Sequence, residues 1–414
     1  MLTLKNVGVF RKKNKEYQED PIEEAQDEDV DASEFEDDEV QPKKQKSRRP
    51  KETPFTQQRI ASVNPVFTPK SVLPIYLVIA AIFVIFGAVM LNISSHIDDL
   101  TIYYEKCSSN APTDAWGNVP SEHYFFNFHK NTSFDVAPQW RYTAADDSDA
   151  SGSSENGTCQ LRFTIPYDIP NSVYVNYRIE NFYGNHRRYV QSFSEDQLNG
   201  KNASLSVIKD TVGLNCKPLV TNGEGKHYYP CGLIANAMFN DTFSMELTGV
   251  GSTESYNLTN QGITWSQDKD RFKKTEYDAS QIAPPPNWVK KFPQGYNDSN
   301  IPDIHTWEEF QNWMRTPALP KFSRLIRRND HDDLPAGEYQ IDIGLHWPVT
   351  EFKGGRKAVY ITHGSSIGGK NNFLGIVYLI GGCISIAMAV VILCTHLIAG
   401  RRTADIGYLS WNRE

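Results

Sequence analysis

The chain has 414 residues, 39% of them apolar and 12% aromatic, with a formal net charge of −8. The charge is segregated: Glu16 to Glu39 is acidic and Lys43 to Lys51 is basic, a split that gives no bulk affinity for nucleic acid. The ten histidines show neither HExxH nor zinc-like spacing, and no motif calls for a cofactor.

Residues 1–65 read as a disordered tail, with few large apolar residues. It is either a plain solvated tail or a regulated one whose basic block lies near anionic lipid headgroups. No cleavable signal peptide is visible, because the N-terminus is charged. Residues 72–93 then form a first transmembrane helix, since Val72 to Leu91 carries no charge and about 20 apolar residues cross a bilayer core. It offers small residues at Ala80, Ala81, Gly87 and Ala88.

Residues 96–372 read as a folded, glycosylated β-rich domain on the lumenal or extracellular side. Four cysteines fall here, Cys107, Cys159, Cys216 and Cys231. An oxidising compartment favours disulfides, and four cysteines allow three connectivities. Nearest neighbours, 107 with 159 and 216 with 231, are the expectation; each closure contributes roughly 3–4 kcal/mol. A metal site is the alternative, but no CxxC pair supports it. Glycosylation sequons stand at Asn131, Asn156, Asn202, Asn240, Asn257 and Asn297; that at Asn92 abuts the membrane and is expected to stay bare.

Period-two alternation predicts strands. Val173, Val175, Tyr177 and Ile179 mark one; Tyr339, Ile341, Ile343, Leu345 and Trp347 mark another. Gln160–Ile165, Phe243–Leu247 and Lys357–Thr362 are further candidates. Residues 143–158 are rich in Asp, Ser, Ala and Gly and read as a surface loop; Pro284-Pro285-Pro286 reads as a stiff connector. One helix stands out: Trp307, Phe310, Trp313 and Met314 share a face, Thr306 and Glu309 form a capping box, and Pro317 ends it. The expected fold is thus two transmembrane helices plus a large, mainly antiparallel, β-sandwich-like domain with short helices.

Several motifs have the spacing of a site. Gly364-Ser365-Ser366-Ile367-Gly368 matches a nucleophile elbow, but the His and Asp that follow, His396 and Asp405, lie on the wrong side of the membrane. Gly364 to Asn371 nearly matches a phosphate loop, yet Asn371 stands where Ser or Thr is needed. A glycine-rich hinge is the better reading. His331-Asp332-Asp333 reads as a solvated loop. His186, Arg187 and Arg188 among aromatics form either a structural network or a partner-contact face; no adjacent nucleophile supports catalysis.

Residues 373–399 form the second transmembrane helix and 400–414 a short tail. Cys383 and Cys394 inside the span read as inert apolar residues. Neither span contains Asp, Glu, Lys or Arg, so the chain alone offers no polar path for transport. Gly381, Ser385 and Ala389 repeat at i, i+4, i+8, a small-residue face for packing on the first span or on a partner. Arg59, Lys70 and the basic block, with Arg401 and Arg402, place both termini in the cytosol. Lys353, Arg356, Lys357 and Lys370 oppose that rule at the second span, and the cysteines and sequons break the tie.

These residues resemble the Cdc-fifty or ligand-effect-modulator family, the accessory subunits of type-IV P-type ATPases, the phospholipid flippases. Four stretches carry the resemblance: Asn181–Val190; Pro230–Thr242; Asn312–Thr316 with Ala318–Pro320; and Leu334–Tyr339 continuing through Gly368–Asn371 to Phe373–Tyr378. It covers about Ile60 to Ala399, and the acidic-then-basic tail is similar to the fungal ligand-effect-modulator branch. Gly184 departs from the family, whose members often carry Gln there. The four loop cysteines leave no extra disulfide of the kind seen in animal members. The resemblance implies a non-catalytic subunit, heterodimeric with a type-IV P-type ATPase in contact with membrane lipids. It also implies escort from the endoplasmic reticulum toward Golgi, endosome and plasma membrane. On that basis Asn181, Phe182, Asn185, His186, Arg187, Arg188 and Tyr189, with the hinge residues Gly368, Gly369 and Lys370, are the expected coupling residues. Gly381, Ser385 and Ala389 are expected partner contacts in the membrane. The alternative is a stand-alone receptor or glycan-binding protein.

Overall fold

The structure, a computed structural model, describes residues 53–55, 58, 60, 67–130, 133–145, 157–170, 172–349, 353–365 and 368–400. The acidic and basic blocks, Asn131, Asn156, Ser366, Ile367 and the 401–414 tail lie outside the described residues.

Helix α1 (Pro69–Ser95) is long and apolar enough to cross a membrane. The Thr68 N–H donates to Ser71 Oγ at 3.1 Å at its start, and Pro69 takes the first helical position, where no N–H is needed. From its end the chain enters strand β1 (Asp99–Tyr103), then β2 (Tyr124–Asn127), β3 (Gln139–Thr143), β4 (Thr158–Ile165) and β5 (Val173–Glu180). The long segment 181–321 carries short helices and strands of two to four residues. Helix α2 (Glu308–Trp313), strands β6 (Phe322–Asn329), β7 (Gly337–Gly344) and β8 (Arg356–His363), and the second candidate span α3 (Asn372–Ile398) close the order.

Among the described residues two large antiparallel sheets form the body of the β domain, beside a two-stranded parallel sheet of His227–Tyr228 and Ile282–Ala283. One has the order β6-β5-β8-β1-β2. The other runs from Tyr256–Asn257 and Glu246–Gly249 through β7, β4 and β3 to Gly117–Asn118. Burial alternates along β5 at Val173, Val175, Tyr177 and Ile179, and along β4 at Cys159, Leu161, Phe163 and Ile165. These residues, with Tyr339, Ile341 and Ile343 of β7, belong to one continuous core. The sandwich-like expectation therefore holds, because each sheet has one apolar face to bury. Strand β8, central in its sheet, is buried on both faces from Lys357 to Val359. The predicted Phe243–Leu247 strand is split in two, with Thr242–Phe243 and Glu246–Gly249 each pairing with β7.

Cys107 is bonded to Cys159, and Cys216 to Cys231. The expected capping box at α2 is absent. Thr306 Oγ1 donates to Asp303 O, and Glu309 accepts from Arg327 Nη1 at 3.1 Å and Asn260 Nδ2 at 3.0 Å. A buried guanidinium needs a counter-charge more than a short helix needs a cap. The apolar face is as expected, with Phe310, Trp313 and Met314 buried.

β1 and β8 pair centrally, Asp99 opposite Thr362 and Tyr103 opposite Ala358. One strand leaves α1 and the other leads to α3, so the sheet brings the two spans side by side. They pack antiparallel. A Cβ on Gly375 would lie 2.6 Å from Leu91 Cγ, and one on Gly87 3.0 Å from Gly375 O. Ser94 Oγ, at the end of α1, donates to Asn372 Oδ1 at 2.6 Å and accepts from the Asn371 N–H at 3.0 Å. Ser385 and Ala389 are buried, and a Cβ on Gly381 would lie 2.8 Å from Phe83. That small-residue face packs on the first span, one of the two readings open from the sequence. The outward faces, with Ile82, Ile85 and Phe86 on α1 and Ile380, Ile384 and Val391 on α3, remain exposed.

Candidate functional site

Three of the four stretches that carried the family resemblance converge on one aromatic cluster. Phe182, buried, packs against Tyr189, Trp313, Phe322 and Trp347 with ring centroids 5.6–6.1 Å apart. Phe239 joins it, 5.6 Å from Trp347 and stacked 4.1 Å from Tyr177. Trp313 Nε1 donates to Ile234 O at 2.7 Å, so the ring is fixed by a hydrogen bond as well as by packing. Segments 181–190, 230–242 and 312–320 thus form one unit.

Backbone geometry sets the display of this unit. Asn181 has φ +60°, a left-handed turn that asparagine tolerates, and its Nδ2 donates to Gly354 O at 2.7 Å. Gly184 lies under Pro317, where a Cβ would be 2.7 Å from Cδ, so the departure from Gln is built into this packing. Asn185 Nδ2 ties the loop to Ala318 O at 2.9 Å. The chain then turns into a short helix, Arg187–Val190, with Tyr189 against the cluster and His186, Arg187 and Arg188 exposed. Burial raises the Tyr189 phenol well above its usual range, so it stays neutral.

His186, Arg187 and Arg188, with Gln191, Asn215 and Lys217, line a basin of about 490 Å³. Gln191, Asn215 and Lys217 were not singled out from the sequence. Ser192 Oγ donates to Lys217 O at 2.9 Å and accepts from the Leu233 N–H at 2.9 Å, and the Cys216–Cys231 bond holds that segment in place. The signal was the expected 216–231 pairing, which brings Lys217 beside the 230–242 stretch. Among the described residues no carboxylate lines the basin; Lys217 Nζ is paired with Asp210 Oδ1 at 3.4 Å, and the exposed Arg187 and Arg188 make the basin complementary to anionic groups.

The hinge candidates lie elsewhere. His363 pairs with Val173 and Arg356 with Glu180, so β5 and β8 run between the two groups. The basin follows Glu180 and the hinge follows His363. Eight residues of strand separate them by about 25 Å, with the basin at the end away from the spans. Lys370 Nζ is bound to Asp99 Oδ1 at 2.7 Å. Gly368 has φ +99°, and neither it nor Gly369 has a neighbour near its Cβ position.

A second polar centre was not foreseen. Lys357 and Asp241, both fully buried, lie 3.0 Å apart. Asp241 Oδ1 accepts from the backbone N–H of His346 and Trp347, each at 2.7 Å, and Oδ2 accepts from Tyr104 OH at 3.0 Å. Lys357 Nζ also donates to Trp347 O at 2.8 Å. Among the described residues no group of His, Cys, Asp and Glu is arranged to hold a metal.

The described sequon asparagines Asn202, Asn240, Asn257 and Asn297 are exposed. His331, Asp332 and Asp333 are exposed as well.

The family model described as LEM3 (ligand-effect modulator 3) family / CDC50 family matches residues 90–402. The chain is 58% identical over 407 residues to the phospholipid-transporting ATPase accessory subunit LEM3 of Saccharomyces cerevisiae, covering 98% of this chain and 97% of that one. It is 42% identical to the accessory subunit CRF1 of the same yeast, covering 89% and 91% of the two chains. It is 39% identical to the accessory subunit CDC50 of Chaetomium thermophilum, covering 88% and 91%.

Proposed function

The chain belongs to the LEM3 (ligand-effect modulator 3) / CDC50 family, and from that premise we propose that it is a non-catalytic accessory subunit of a phospholipid-transporting, type-IV P-type ATPase. The observation that carries the reading is near-full-length similarity to a relative named as such a subunit. The spans fit the role: packed on each other through small residues, they enclose no polar path and leave wide apolar faces for a partner.

Both termini lie in the cytosol. Of the four cations that oppose this at the second span, three are neutralised inside the β domain: Arg356 by Glu105 at 3.1 Å, Lys357 by Asp241, and Lys370 by Asp99. They weigh little against Arg401 and Arg402. The β domain then faces the lumen or exterior, and glycans sit on the exposed sequons; enzymatic deglycosylation should lower the apparent mass. The subunit accompanies its ATPase out of the endoplasmic reticulum toward Golgi, endosome and plasma membrane. The basin lined by His186, Arg187, Arg188 and Lys217 contacts a part of the ATPase that projects away from the bilayer. By binding some pump conformations better than others, it shifts their populations.

Gentle solubilisation of the tagged chain from its own membranes tests the reading. A stoichiometric polypeptide that forms an aspartyl-phosphate with ATP, and is retained in the endoplasmic reticulum when this chain is removed, is the expected result. Recovery of this chain alone, mature and at its final membrane, would overturn it.

A further inference from the structure

His363 ends β8, and Gly364 opens the hinge to the second span. His363 is 8% exposed. Its Nδ1 lies 3.0 Å from Gly364 O and its Nε2 3.2 Å from His96 O. Carbonyl oxygens only accept, whereas a neutral imidazole donates from one nitrogen alone. Both contacts are hydrogen bonds only when both nitrogens carry a proton, that is, when the ring is a cation.

A counter-charge is in place. Asp98 is buried, and its Oδ2, 3.8 Å from His363 Nε2, has no hydrogen-bond partner among the described residues. Oδ1 is satisfied separately, by the His129 N–H and His129 Nδ1 at 2.8 Å and by Tyr167 OH at 2.7 Å. His129 needs only its neutral form for that contact. The other charged and titratable groups around the site are accounted for. His96 is exposed, with Nδ1 on Asn92 O at 2.6 Å. Lys130 lies over the Tyr167 ring, and Asp99 is bound to Lys370. The unmatched pair is His363 with Asp98 Oδ2. His96 caps α1, so these contacts join the end of the first span to the lead-in of the second.

We propose that His363 is a proton-operated latch at the junction of the β domain with both spans. With both ring nitrogens protonated it ties His96 to Gly364 across Asp98. With one proton lost, a ring lone pair faces a carbonyl oxygen or the carboxylate, one tie is broken, and the junction at Gly364 loosens. Histidine is the side chain suited to such a change of protonation. The tie is made in acid and lost as the pH rises. On the proposed topology the site faces the lumen, so acidity there stiffens the junction; the latch itself is a property of this chain whatever its partner.

Hydrogen exchange on the full chain in lipid nanodiscs tests this at pH 5.5 and 7.5, corrected for intrinsic rates, with β7 as internal reference. Peptides covering 94–99 and 363–371 should gain several-fold protection at the lower pH, while β7 does not. His363→Gln, which donates from one nitrogen and stays neutral, should remove that gain. His129→Gln should leave it. Hinge protection independent of pH in the wild type would overturn the latch. So would a response that survives His363→Gln or disappears with His129→Gln. Should His363→Gln fail to fold, the wild-type hinge measured against β7 still decides.

Discussion

Asp241 occupies the variable position of the Asn240 sequon and Lys357 one of four cations before a span, and neither place in the sequence signals a role. In the fold each supplies the other's counter-charge in a buried core, since burying a lone charge is far costlier than burying a hydrogen-bonded pair. Asp241→Ala is therefore expected to destabilise the chain by about 3–5 kcal/mol. The double replacement Asp241→Ala with Lys357→Met should cost less than the single one. Thermal unfolding of the purified chain checks both. Glu308 gives a pH dependence. Burial works against its charge, but hydrogen bonds from Lys269 at 2.5 Å and from the Thr264 and Gly262 N–H groups outweigh it and hold its pKa below the usual range. A depressed carboxylate contributes stability that is present above its unfolded value and is lost as pH falls through the folded one. Glu308→Gln should flatten the acid limb of the stability profile from about pH 5 downward and leave its slope near pH 7 unchanged.

At the scale of elements, alternation was the dependable signal. β4, β5 and, from Glu338 onward, β7 follow it residue by residue, because a half-buried strand must segregate its faces. Capping was not, since Glu309 had a distant partner in Arg327 that no local pattern discloses. The small-residue face of α3 was legible, but its partner was not: repetition of small residues shows that a helix packs closely, not against what. Gly375→Leu should force the spans apart, because the added side chain meets Leu91 and the Gly87 carbonyl. Its effect should be lost disulfide crosslinking between cysteines placed at Ala80 and Gly382, in a background lacking Cys383 and Cys394. Gly369→Ala, which meets nothing, should crosslink like the parent.

For the whole molecule, the two expected groups of coupling residues prove to be the opposite ends of β5 and β8. A contact at the basin is thereby connected to the membrane through the centre of one sheet. Arg187→Glu with Arg188→Glu should leave the melting temperature within about a degree or two, as exposed substitutions do. It should also reduce co-isolation of the ATPase and its phosphorylation. Unchanged co-isolation would remove the basin from the interface.

By itself the sequence determined the two apolar spans, the β character of what lies between them and the family, because these rest on composition, period and long contiguous motifs. Only the tertiary structure decided that three distant motifs share one aromatic cluster, that Gln191, Asn215 and Lys217 complete the basin, and that Lys357 has a buried counter-charge. It alone set the contacts around His363. Each of those depends on residues remote in the chain meeting across a strand register or a turn. Register and turns are fixed by the whole core rather than by neighbours in sequence.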